Sequence, residues 1–169
     1  PDFSVSKYFL SNKLFVGNTI LQVTGKVDKK KLSTCEDKRF YISFNGEIYN
    51  YKNLKKLSRF SISASNDTSK IIKLHKYNSP INILKSMDGM FAYVVYDNQN
   101  NKLYYATDTQ GEKKLFSYED KNYFILSSNI HAIFKFFNIN FKINKQQIFD
   151  YLNTRHFLTD NNTFYKKIN

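Results

Sequence analysis

Residues 39–57 constrain this chain more than any other stretch. Arg39-Phe-Tyr-Ile-Ser-Phe44 is dense in aromatic and β-branched residues and reads as a strand. Asn45-Gly46 ends the run, and that dipeptide admits positive φ and a sharp change of direction. Beyond it, Ile48, Tyr51, Leu54 and Leu57 recur three residues apart, as on one face of a short helix. A strand that ends in Asn-Gly presents an amide side chain beside an uncrowded backbone N–H, the two donors an oxyanion hole requires. Glu47 beside them suits a cationic group. The same dipeptide is also an ordinary turn between periodic segments, so spacing alone leaves both readings open.

The flanking chain alternates short strands with turns. Phe3 to Phe9, Leu14 to Val16 and Asn18 to Val23 read as strands, and Lys26 to Thr34 reads as a loop. Phe60 to Ala64 is a further short strand. Asn66 or Asp67 caps a helix that buries Ile71, Leu74 and His75, and Pro80 breaks it. Ile81 to Met87 is helical and stops at Asp88-Gly89. Met90 to Tyr96 and Lys102 to Ala106 form a hairpin about Asp97–Asn101. Strands then follow at Lys114–Tyr118 and Tyr123–Ser127, with turns at Asp108–Gly111 and Glu119–Asn122. Ser128 starts a helix to Phe136, residues 138–143 alternate, and Asn144 caps a helix from Lys145 to Thr154 that places Ile148, Tyr151 and Leu152 on one face. Such a meander needs a covering helical layer, which makes the class α+β.

A chain of 169 residues with 41% hydrophobic and 17% aromatic content is long and apolar enough for a real core. Its formal charge of +12 invites nucleic acid. The lysines are scattered in twos and threes, however, no nucleic-acid motif accompanies them, and Arg, the usual base reader, is scarce. Solvated faces are the expectation, with no nucleic-acid partner. The single cysteine, Cys35, has no cationic neighbour in sequence, reads as a loop residue, and suits a reducing, cytoplasmic compartment. No apolar run approaches the ~20 residues of a membrane span. His75, His131 and His156 lack metal-site spacing, so no metal is expected, and His75 reads as a packed core histidine.

The octet Phe44-Asn-Gly-Glu-Ile-Tyr-Asn-Tyr51 resembles the NGEIYN signature of class II glutamine amidotransferases, and most closely the glutaminase domain of glutamine-dependent asparagine synthetases. Three further blocks follow in the family's order. Asn66-Asp67-Thr68 resembles S-D-T, Met87 to Asp97 is similar to L-D-G-M-F-A-F-A-L-Y-D, and Ala106 to Phe116 is a looser A-R-D-R-x-G-x-K-P-L-Y. Pro1-Asp2 resembles the end of R-G-P-D. The resemblance implies a four-layer αββα sandwich of the N-terminal-nucleophile (Ntn) hydrolase type, with two antiparallel sheets. It divides the chain into an amidotransferase domain over 1–143, truncated at its N-terminus, and a connector over 144–169 leading toward a synthetase domain.

The activity implied is hydrolysis of L-glutamine to glutamate, with ammonia passed to an ATP- and Mg-dependent, amide-forming synthetase domain of the same polypeptide. The glutaminase domain itself needs no cofactor. In the family an N-terminal Cys attacks the glutamine amide; that residue lies before R-G-P-D, so this stretch alone is expected to be inactive. The resemblance assigns Asn45 and Gly46 to the oxyanion hole and Glu47, Asp67 and Val23 to substrate binding, with a homodimer as a further expectation. A helix cap explains Asp67 equally well. Five positions depart from the pattern. Thr19 stands where the family has a carboxylate-binding Arg, Thr107 and Thr109 replace the two arginines of A-R-D-R, Lys114 replaces the proline of the same block, and Asn129 replaces the Glu of a following S-S-E-I segment. Thr cannot make the bidentate contact of an Arg. The alternative these departures raise is a degenerate, non-catalytic scaffold or ligand-binding module.

Overall fold

A computed structural model describes residues 3–20, 33–34, 38–57, 67–137, 141–156 and 162–169. The chain divides into two compact units, Pro1–Lys113 and Lys114–Asn169. The first is built on an antiparallel sheet in the order β3-β4-β5-β6, with β3 at Ser33–Thr34, β4 at Phe40–Ile48, β5 at Gly89–Asp97 and β6 at Lys102–Thr107. A hairpin of β1 (Phe3–Phe9) and β2 (Leu14–Ile20) forms a separate two-stranded sheet, turned by Lys13 in the left-handed region. Helices α1 (Asp67–Leu74) and α2 (Pro80–Ser86) and a 3-10 segment at Tyr51–Leu57 complete the unit.

Alternation along β4 and β5 separates two cores. Phe40, Ile42, Ile48, Phe91, Tyr93 and Val95 face the helices and bury Leu54, Ile71, Leu74 and Ile83. Tyr41 and Tyr96 face the hairpin and pack on Val5 and Phe9, with Leu14 and Val16 beside them. Within this unit helices, four-stranded sheet and hairpin therefore stack as three layers. His75, just past α1, is a packed residue as expected: Nδ1 donates to the Ile71 carbonyl at 2.8 Å, and Nε2 accepts from the Tyr93 hydroxyl at 2.7 Å. Arg39 forks onto the buried Asp97 carboxylate at 2.9 and 3.2 Å, and Asp97 in turn accepts from the backbone of Gln99 and Asn100, shaping the β5–β6 turn.

The turn expected at Asn45-Gly46 is not there. β4 runs through it to Ile48, pairing Asn45 with Ala92, Gly46 with Phe91, Glu47 with Met90 and Ile48 with Gly89. Glycine serves close approach between strands here. At φ +142 a Cβ on Gly46 would run into the Met90 carbonyl oxygen and lie 2.7 Å from the Phe91 Cα. Gly89, at φ +156, would meet the Glu47 carbonyl and stand 2.9 Å from the Ile48 Cα. The helix expected from Ile48 accordingly begins later, as the Tyr51–Leu57 segment, because Ile48 is held in the ladder. Gly89 likewise opens β5 and does not close α2, whose C-cap is Met87.

The second unit contains β7 (Phe116–Glu119) paired with β8 (Phe124–Ser127), α3 (Ile130–Phe137) and α4 (Lys145–Thr154). Tyr118, Ile133 and Ile168 form its buried centre, ringed by Phe134, Phe137, Phe141 and Tyr165 in mostly edge-to-face contacts. Ser117 and Asn169 exchange backbone hydrogen bonds at 2.8 and 2.9 Å, which fastens the chain end to β7. Asn144 caps α4 as its sequence indicates, its side chain accepting from the Gln147 N–H. The apolar face expected on α4 is not fully buried: Gln147 turns inward, Ile148 is half-buried, and Tyr151 and Leu152 are 37% and 70% exposed. No helix among the described residues is long and apolar enough to cross a membrane.

Candidate active site

β4 carries the site because its alternation sends two polar side chains to one face. Asn45 and Glu47 share that face with Tyr41 and Ser43, and both are exposed. The hairpin reaches this face at Ser43, whose hydroxyl donates to the Asn18 side chain on β2. Asn18, Val16 and Leu14 point to the sheet; Thr19 falls on the opposite, exposed side of β2. The position that departs from the family's Arg therefore does not share the face of Asn45. Asn18 does.

The backbone N–H of Gly46 is located by hydrogen-bond alternation. The Tyr49 N–H donates across to Asp88 at 2.8 Å, so the odd-numbered residues of this end of β4 bond to β5 and the even-numbered ones point away. Gly46 and Ile48 thus direct their N–H groups to the other edge, where, among the described residues, β3 pairs with Tyr41 and Ile42. Asp67 stands at that edge. One of its oxygens accepts from the Ile48 N–H at 3.1 Å and the other from the Thr68 N–H at 2.6 Å. Asp67 therefore ties the end of β4 to the start of α1, two residues from Gly46. Val23, Asn66 and Cys35 lie outside the described residues.

Two residues that the sequence reading passed over hold this strand end in place. Asn50, the last Asn of the octet, donates to the Ser86 carbonyl at 2.9 Å and accepts from the Asp88 N–H at 3.1 Å. Asp108, read only as the start of a turn, is 7% exposed and accepts from four backbone N–H groups: Phe91, Gln110, Glu112 and Lys113, at 3.0–3.2 Å. Burial pushes its carboxyl up, but the four donors outweigh that and hold it at about 2. The signal in the sequence was an Asp opening a turn, the residue type that bonds its own backbone two positions on. Partial desolvation and the carboxylates of Glu112, Glu47, Asp108 and Asp88 keep the Tyr49 hydroxyl above its ordinary value. The local field is thus negative in a strongly basic chain, which suits a cationic group. Among the described residues no group of three or more His, Cys, Asp or Glu side chains is arranged to hold a metal.

The sequence matches the glutamine amidotransferase domain family over residues 1–169. The chain belongs to that family. A Methanocaldococcus jannaschii protein named as a glutamine-hydrolysing asparagine synthetase is 33% identical over 129 residues, 72% of this chain and 25% of that protein. Asparagine synthetase 2 of Bacillus subtilis is 30% identical over 129 residues, 76% of this chain and 17% of its own length. The Gallus gallus asparagine synthetase shares 33% over 76 residues, 45% of this chain and 14% of its own. The matched part of this chain thus spans a quarter or less of the length of these curated relatives. The FNGEIYNY and MDGMFAYVVYD stretches are antiparallel neighbours: the glycine of each lies opposite a residue of the other.

Proposed function

We propose that this amidotransferase domain is the glutaminase part of a longer, asparagine-synthetase-like protein. It hydrolyses L-glutamine to glutamate and supplies ammonia to an ATP- and Mg-dependent synthetase domain that amidates a carboxylate. The observation that carries the reading is the joint placement of the Asn45 side chain and the Gly46 N–H on a strand whose β5 partner uses neither. An N-terminal Cys thiolate of the longer protein would attack the side-chain amide of glutamine. Negative charge then develops on the amide oxygen, and Asn45 and Gly46 would donate to it. Glu47 and Asp67, in a locally negative field, would hold the α-ammonium, with Val23 lining the substrate. Asp67 retains this capacity beside its structural bonds, because a carboxylate offers about four acceptor sites and two backbone amides occupy only part of them.

The same reading extends the three layers of the first unit to the four-layer Ntn sandwich, and takes residues 144–169 as a connector toward the synthetase domain. A cytoplasmic protein that pairs as a homodimer completes the proposal. The test is Glu47→Gln in the full-length protein. Loss of a ground-state contact to the ammonium should raise the KM for glutamine about tenfold while kcat stays within twofold, and ammonia-dependent synthesis should be unchanged. An unchanged KM would remove Glu47 from the substrate site.

A further inference from the structure

We propose that Asp108 is a positioning residue for the Gly46 N–H, acting through the backbone of Phe91. The proposal rests on the glutaminase reading above, and it begins with how Gly46 is held. Gly46 and Phe91 are opposite one another but exchange no ladder hydrogen bonds, because the alternation fixed at Tyr49 and Asp88 assigns those to the odd-numbered residues of β4. Pairs of this kind are the close ones, with Cα atoms about 4.5 Å apart. Gly46 is therefore located by direct contact with the backbone of Met90 and Phe91, so close that a Cβ finds no room. Any shift of Phe91 is transmitted to Gly46.

Phe91 points both of its backbone groups toward β6, and Asp108 takes both. The Asp108 N–H donates to the Phe91 carbonyl at 2.8 Å, and the Asp108 carboxylate accepts from the Phe91 N–H at 3.1 Å. The same carboxylate gathers the amides of Gln110, Glu112 and Lys113, so the loop after β6 closes round one buried anion. A carboxylate is the only side chain that accepts at both ends. An amide in its place must aim an NH2 at one pair of donors and leave two backbone N–H groups unpaired. Whichever pair is lost, the anchor of Phe91 or of its loop is weakened.

Four variants of the full-length protein test the proposal. Asp108→Asn should lower the kcat for glutamine about tenfold or more, since a donor misplaced by about an ångström costs that much. The KM for glutamine and the ammonia-dependent rate should stay within twofold. Ile83→Ala opens a cavity in the core that Phe91 shares but removes none of the hydrogen bonds between Phe91 and Asp108; it supplies a comparable loss of stability and should leave kcat unchanged at a temperature where it is folded. Asp108→Glu keeps the acceptor and serves if the Asn variant does not fold; its kcat should fall severalfold with KM unchanged. Normal kcat in whichever Asp108 variant folds, or an equal fall in kcat for Ile83→Ala, would overturn the positioning role and leave Asp108 a structural residue. Asn45→Ala separates this from the underlying reading. If Asn45→Ala loses turnover and Asp108→Asn does not, only the positioning fails; if Asn45→Ala also retains turnover, the oxyanion assignment itself has failed.

Discussion

The β4–β5 ladder and the second unit hold themselves together by different means. In the ladder, two glycines are set against facing backbone with no room for a side chain, and buried anions collect backbone amides at defined points. In the second unit, Tyr118, Ile133 and Ile168 are surrounded by phenylalanines whose ring contacts span a range of angles. Backbone approach is unforgiving, because any Cβ meets atoms that cannot turn aside. Aromatic packing adapts, since rings rotate and shift. The second unit leaves Phe136, Phe149 and Leu152 on its surface.

The sharpest way to break that comparison is Gly46→Ala. It combines backbone strain with a collision against Met90 and Phe91, and should cost on the order of 4 kcal/mol, enough to abolish cooperative melting of the first unit. A thermal scan showing a loss below about 1 kcal/mol would mean that the strands do not approach as described. Ile133→Ala, the equivalent insult to the second unit, should cost about 3 kcal/mol by leaving a cavity that the surrounding rings partly fill. Hydrogen exchange should rise in α3 and β7 and stay unchanged in β4 and β5.

Acid sharpens the contrast a little less. Burial holds the His75 imidazole down at about 4, against an ordinary value of 6.5. Between those values the unfolded chain binds a proton that the folded one refuses. Stability is therefore complete above about pH 6.5 and falls as pH drops toward 4, by roughly 3 kcal/mol at about 1.4 kcal/mol per pH unit. Asp97, which burial raises but Arg39 and Asn100 pull down to about 2, contributes stability lost only at lower pH, as it is protonated below the ordinary carboxylate range. Melting curves of the parent chain and of His75→Gln should differ in slope between pH 4 and 6.5 and run parallel above. Parallel curves throughout would place His75 in water. The smallest effect belongs to Leu152→Ala, whose side chain is exposed on α4 and should move stability by no more than about 0.5 kcal/mol.

The sequence revealed the parts of this fold that local chemistry decides. The β5–β6 hairpin, the Asn144 cap and the packed His75 follow from turn residues, capping and periodicity, and the structure has them where those signals put them. Asn45-Gly46 was legible as a special backbone position but not as a strand interior. A glycine that turns a chain and one that admits a neighbouring backbone look alike until the register is known. Asp108 was hidden for the same reason, since its four donors come from a loop and from a strand 17 positions away. On α4 the pattern misled because apolar residues occur on more than one side, so periodicity did not single out the buried one. Thr19 was identified by alignment to a motif; only the alternation of β2 showed that Asn18 holds the inward position.

The central claim is that Asn45 and Gly46 form an oxyanion hole on a continuous strand, and Asn45→Ala in the full-length protein tests it most directly. A donor that acts on charge developing in the transition state should affect kcat more than KM. Glutamine-dependent turnover should fall about a hundredfold to a thousandfold, the usual cost of one such donor, with KM nearly unchanged. Ammonia supplied directly should restore synthesis in full. Equal losses of the glutamine-dependent and ammonia-dependent rates would contradict the assignment and leave Asn45 an exposed residue of β4 with no part in catalysis.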